Sequence, residues 1–158
     1  MSSAARQPEE ESAAIEMTAV KILAAREHSC HELRRKLARR FGLGDALDEV
    51  LDGLQQRGLL SDQRFVETYI DQRSRKGFGP LRIRAELNER GVSSDLVEGG
   101  LDLADTDWLD LLVRTATHKF GDSAVEDRRE MARRGRFLEQ RGFPLSLVYR
   151  YLDQVRQF

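Results

Sequence analysis

The sequence predicts an all-α protein: three tandem three-helix modules stacked into an elongated, curved, solenoid-like array. Three observations predict it. From about Ser12 onward, apolar residues recur three and four positions apart, and the alternating β-branched runs of strands are missing. A period of about fifty residues relates Leu37, Leu87 and Leu138; Leu47, Val97 and Val148 follow ten positions later, and Leu51, Leu101 and Leu152 fourteen later. Charged side chains make up 34% of the 158 residues, above the ~25% of an ordinary domain, so the surface is large relative to the core.

Residues 1–12, MSSAARQPEEES, are polar and acidic and are expected to form a disordered tail. The modules are expected at 13–60, 61–104 and 105–158. Units this small scarcely bury a self-sufficient core, so each should borrow stability from its neighbour. In the first module, Ile15, Ala19 and Ile22 form an apolar stripe, and Ser29 with Glu32 makes a capping box. Leu33, Leu37 and Phe41 line the second helix, and Leu43, Leu47, Leu51 and Leu54 the third. The plan restarts at Ser61, with Phe65 and Tyr69 on a helix ending near Gly77. Gly79-Pro80 reads as N-cap and first helical residue, where proline loses no hydrogen bond. Ile83 and Leu87, then Leu96, Val97 and Leu101, complete the second module. Trp108, Leu112 and Ala116 open the third, Ser123 and Glu126 offer another capping box, and Met131, Leu138, Leu147, Val148 and Leu152 follow. This module departs from the pattern. Arg134 stands where the others have Leu33 and Ile83, and extra residues lie at 121–127.

The form Leu-x-x-Arg-Gly-apolar occurs at Leu54–Leu59, Leu87–Val92 and Leu138–Phe143. It is the pattern of a helix ending in a left-handed glycine, with the apolar residue folding back onto the leucine. Its role is structural.

Several function classes are excluded by composition. The longest stretch without a charge, Gly142–Tyr149, has eight residues, whereas a bilayer span needs about 20 apolar ones. The single cysteine, Cys30, allows no internal disulfide and suits a reducing cytoplasm. No phosphate-cradling glycine loop and no convergent catalytic set is present, so no enzyme, cofactor or metal is expected. His28, Cys30 and His31 lie close in sequence, but a structural zinc site needs four ligands and the remaining histidine is His118. Carboxylates are expected on solvated helix faces or in pairs such as Arg82 with Glu86.

Charge layout is more informative than net charge, which is −1. Arg34, Arg35, Lys36, Arg39 and Arg40 form one basic cluster, and Arg73, Arg75, Lys76, Arg82 and Arg84 a second. Arg128, Arg129, Arg133, Arg134 and Arg136 form a third. Acids gather on the third helices instead, at Asp45, Asp48, Glu49 and Asp52 and at Asp95, Glu98 and Asp102. Stacking would rank the basic groups into a stripe suited to a polyanion or an acidic groove on another protein.

The segment 61–92, through Asp62, Arg64-Phe65, Tyr69, Arg73, Lys76-Gly77, Gly79-Pro80, Ile83, Leu87 and Arg90-Gly91, resembles the signature of the RecX family. Ala24, Arg26, Ser29, Glu32-Leu33, Leu37 and Gly58-Leu59 in the first module, and Phe137-Leu138 with Arg141-Gly142-Phe143 in the third, extend the resemblance. It implies a bacterial, cytoplasmic, non-enzymatic modulator of the RecA recombinase. Such proteins bind RecA and lie in the groove of its filament on single-stranded DNA, suppressing ATP hydrolysis, filament growth and strand exchange. The ten cations at 34–40 and 73–84 are the expected contacts with RecA or the bound strand. A monomer without membrane contact is the default expectation. The alternative is direct DNA binding through the same stripe, with a weak DNA contact; the near-zero net charge argues against it.

Overall fold

Pro8 starts the first helix, and the three acids after it, Glu9, Glu10 and Glu11, sit where the helix dipole favours negative charge. The computed structural model describes residues 7–158. The tail expected at 1–12 straddles that limit. Residues 1–6 lie outside the described residues, whereas Pro8–Ser12 belong to the helix, because proline and the acids make a good N-terminus.

Among the described residues there are nine helices and no strand. They are α1 Pro8–Ala25, α2 Cys30–Phe41, α3 Asp45–Gln56, α4 Asp62–Arg75, α5 Pro80–Glu89, α6 Ser94–Leu103, α7 Trp108–Phe120, α8 Arg128–Gln140 and α9 Leu145–Val155. Their packing is by threes: α1–α3, α4–α6 and α7–α9 each close on one another. Each triplet encloses its own core. The register leucines Leu37, Leu87 and Leu138 are all fully buried, as are Leu47, Val97 and Val148. Leu43 does not join them. It is 73% exposed, in the turn before Gly44, which is the N-cap of α3.

Local signals set the boundaries. Ser29 Oγ accepts from the Glu32 N–H while the Glu32 carboxylate accepts from the Ser29 N–H, completing the capping box of α2. Gly79 caps α5 with Pro80 at its first position. All three Leu-x-x-Arg-Gly endings take the expected turn, with Gly58, Gly91 and Gly142 at φ 74°, 75° and 95°. The following apolar N–H reaches back to the leucine carbonyl each time. The first copy ends a third helix, α3; the others end the second helices α5 and α8.

The expected cap at Ser123 does not form. Asp127 caps α8 instead, its carboxylate accepting from the Glu130 N–H. The reason lies upstream, where the Val125 N–H donates to Val155 O and the Gln157 N–H donates to Val125 O. This pairing holds the segment extended until residue 127. Arg134 is the second reason, and it is not the surface cation expected of the third cluster. It is 2% exposed. Its guanidinium donates to Tyr151 Oη (2.9 Å), Ser123 O (3.0 Å) and Glu130 Oε1 (3.1 Å). A charge stands at the leucine register because three acceptors surround it.

Neighbouring triplets meet at helix ends, with side chains bonding to backbone at the first joint and backbone to backbone at the second. Between the first and second, Ser29 Oγ donates to Arg90 O (2.7 Å), the Cys30 N–H donates to Asp62 Oδ1 (2.7 Å) and Arg64 pairs with Glu27. Between the second and third, the Gly79 N–H donates to Arg141 O (2.8 Å) and the Leu81 N–H to Gly142 O (3.0 Å). A Cβ on Gly79 would lie 2.5 Å from the Gly142 carbonyl, and one on Gly142 would lie 2.3 Å from Arg82 Cβ. Trp108 packs against both the second and third cores.

Two outcomes follow. Arg134→Ala leaves Tyr151 Oη and Ser123 O without their partner, and is expected to cost about 2–4 kcal/mol, read as a lower denaturant midpoint with native helicity retained in water. Gly142→Ala meets both a left-handed backbone and Arg82, and should cost about 1–3 kcal/mol. Trp108 fluorescence should then report a lower unfolding midpoint.

Candidate partner-binding surface

Helix α2 buries Leu33 and Leu37 on one face and carries Arg35, Lys36, Arg39 and Arg40 on the exposed side. Arg34 lies at the edge. Its Nη2 is 2.6 Å from Asp48 Oδ1 of α3, close enough for an ion pair but without an aligned hydrogen bond. The same strap recurs fifty residues later: Arg84 of α5 places Nε 2.6 Å from Glu98 Oε1 of α6, with Nη2 3.2 Å from Oε2. Acids of the third helices therefore partner cations of the second. Gly135 and Tyr149 occupy the corresponding positions of the third module, which lacks the strap.

Arg73, at the end of α4, is committed to the fold. It holds Glu86 of α5 through two bonds of 3.0 and 2.9 Å, with both side chains 19% exposed. Glu86 is thus taken by Arg73, not by the expected neighbour Arg82. The Phe78 ring gathers three guanidinium groups, with Arg73 at 3.8 Å, Arg141 at 4.4 Å and Arg82 at 4.5 Å from its centre. Arg82 also donates to Gln140 O (3.2 Å), and Arg141 to Lys76 O (3.1 Å).

Arg75 is exposed and pairs with Asp71 one turn earlier. Among the described residues Arg35, Lys36, Arg39, Arg40, Lys76 and Arg82 have no carboxylate partner. The ten cations do not form one row set by the repeat, because only Arg34 and Arg84 share a register. Two grooves collect four of the other eight. One, of about 600 Å³, is lined by His31, Arg34, Arg35, Arg39 and exposed Leu43. The other, of about 360 Å³, lies at the joint of the second and third modules. There Arg75 and Lys76 meet Arg114, His118, Lys119 and Arg141. These four are absent from the sequence-based set. For three of them the signal is Arg114 and His118, one turn apart on the exposed side of α7, followed by Lys119 in its last turn.

In the third cluster, Glu130 accepts from both Arg133 and Arg134, and these hydrogen bonds, Arg133's first, hold its carboxyl down to about 2. His28 is buried beside α2. Its Nδ1 lies 3.0 Å from Arg26 O and its Nε2 2.8 Å from Lys36 Nζ. A neutral ring that donates from Nδ1 and accepts at Nε2 satisfies both contacts. Burial, with the charges of Arg26 and Lys36, pushes its pKa below the ordinary 6.5. Cys30 is half-buried, and burial raises its thiol pKa. Among the described residues no three His, Cys, Asp or Glu side chains are placed to hold a metal, and no helix is long and apolar enough to cross a membrane.

The second and third triplets match the family models described as RecX, second three-helix domain, over residues 61–101, and RecX, third three-helix domain, over residues 105–152. The chain is 42% identical over 140 residues to the regulatory protein RecX of Pseudomonas savastanoi pv. phaseolicola, covering 89% of this chain and 90% of the relative. The chain belongs to the RecX family. The regulatory protein RecX of Ectopseudomonas mendocina is 39% identical over 139 residues, 88% of this chain and 93% of the relative. The fold matches the crystal structure of RecX from Lactobacillus salivarius with a TM-score of 0.78 at 19% identity, covering 93% of this chain and 99% of that one. The three-module, all-helical plan is thus that of solved RecX structures.

His28 makes the stability of the first module pH-dependent. Because its folded pKa lies below the unfolded one, its contribution is present above about pH 6.5 and is lost as pH falls through the lower folded value. Thermal midpoints should fall more steeply below pH 6.5 for the wild type than for His28→Gln.

Proposed function

We propose that this chain is a non-enzymatic, cytoplasmic regulator that binds RecA and its filament on single-stranded DNA, and restrains ATP hydrolysis, filament growth and strand exchange. Membership of the RecX family across 89% of the chain carries this reading, since the relatives are regulatory proteins of that name. The charge geometry supports a mechanism. Cations on α2 and at the second joint sit on separate modules, so one monomer can contact more than one site on a repeating polymer. Contacts that are weak singly become strong when linked, which favours the assembled filament over free subunits. A ligand that prefers one filament state shifts the population toward it.

Titration of the chain into a RecA ATPase assay on single-stranded DNA tests this: turnover should fall with added protein, and unchanged turnover refutes the reading. The variant Arg35→Ser/Arg39→Ser/Arg40→Ser removes three cations without carboxylate partners. It should lose about tenfold in inhibitory potency, as for the loss of a few interface contacts, with helical circular dichroism unchanged. The joint groove, with its six cationic or titratable side chains, favours a second reading, direct DNA binding. Equal or tighter binding to bare single-stranded DNA than to the filament, with a steep salt dependence, would select it.

A further inference from the structure

The repeat register exposes one place where the central module differs from both neighbours. At the position filled by buried Val50 in α3 and buried Tyr151 in α9, α6 has Gly100, preceded by Gly99. Adjacent glycines weaken a helix interior. Gly100 has an internal reason, since a Cβ there would lie 2.4 Å from Val66 Cγ1. Gly99 has none: a Cβ there would meet nothing within 4 Å. The open space above it is a groove of about 470 Å³ between α4 and α6.

The floor of this groove is apolar, formed by Val66, Ile70 and Leu96, with Leu103 standing 84% exposed at one end. Its rim is of one sign. Glu67 and Asp71 on α4 face Asp95 on α6 and Asp105 beyond it, and no lysine or arginine lines it. Arg75 reaches only Asp71, at an exposed ion pair of 3.2 Å. We propose that this groove docks a cationic amphipathic helix of a partner protein. Apolar side chains of such a helix, spaced three and four apart, would seat on Val66, Ile70 and Leu96, while flanking lysines or arginines meet the four carboxylates. A slot between two helices offers no sheet edge to an extended strand, and the acidic rim rejects nucleic acid and anionic lipid. The surface is therefore opposite in sign to the two basic grooves.

The test uses the full chain, isotopically labelled for amide NMR, and a synthetic helical peptide with leucines at the first, fourth and eighth positions flanked by lysines. The control peptide has glutamates in place of the lysines. Shifts are expected at 63–71 and 95–106, weakening with salt, with about tenfold lower affinity for Gly99→Leu and for Glu67→Gln/Asp95→Asn. Gly99→Leu projects into open space and should fold, and the rim variant provides a second reading that leaves the floor intact. Equal binding of the glutamate peptide, shifts confined to α2 or α7, or unchanged affinity in both variants overturns the proposal. Self-association in sedimentation that Gly99→Leu abolishes would also overturn it, by assigning the groove to a second copy. Neither RecA nor DNA enters the experiment, so its failure leaves the proposed function untouched.

Discussion

Close approach of helix ends at the module joints is the constraint on which the remaining architecture rests. Each core is small, and no module has a sheet or a disulfide to stiffen it. What keeps the units in register is a set of hydrogen bonds at helix ends, main chain to main chain at the second joint (Gly79 to Arg141, Leu81 to Gly142) and between side chain and main chain at the first (Ser29 to Arg90, Cys30 to Asp62). The main-chain contacts demand an approach closer than any side chain permits. Gly79 and Gly142 are glycines for that reason, and Gly91 and Gly142 also take left-handed φ; a Cβ on Gly91 would lie 2.4 Å from His31 Cγ. A conformational requirement and a packing requirement fall on the same residue.

Charge is organised by the same logic. An arginine within reach of a neighbouring helix is drawn into the structure, as Arg34, Arg73, Arg84 and Arg134 are. Among the described residues, cations that remain outward, such as Arg35, Arg39 and Lys76, have no carboxylate within reach. The near-zero net charge therefore combines internal straps, two basic grooves and one acidic groove. Exposed pairs such as Arg75 with Asp71 contribute little to stability and are readily exchanged for a partner's charge.

Much of the fold was legible because its determinants are local. Left-handed glycines, the Ser29 capping box and the apolar spacing around Leu37, Leu87 and Leu138 each depend on a few consecutive residues. The errors fall where distant residues arbitrate. Ser123 and Asp127 both precede a glutamate by three positions, and the pairing of Val125 with the chain end chose between them. Arg134 reads as a surface cation until Tyr151 and Ser123 are brought to it. The basic surface was half legible: clusters could be counted, but the partners that neutralise Arg73 and Arg84, and the α7 cations that join Lys76, come from other helices.

The second joint has a further consequence through its crossed arginines. Arg141 of the third module closes the end of α4 at Lys76 O, and Arg82 of the second closes the end of α8 at Gln140 O. Each helix ends in a turn of its own module, and one further carbonyl is covered by a residue of the other. Parting the two modules is therefore no simple swing about a hinge. It uncovers a carbonyl at both termini at once, so that bending at this joint hands two helix ends to water together.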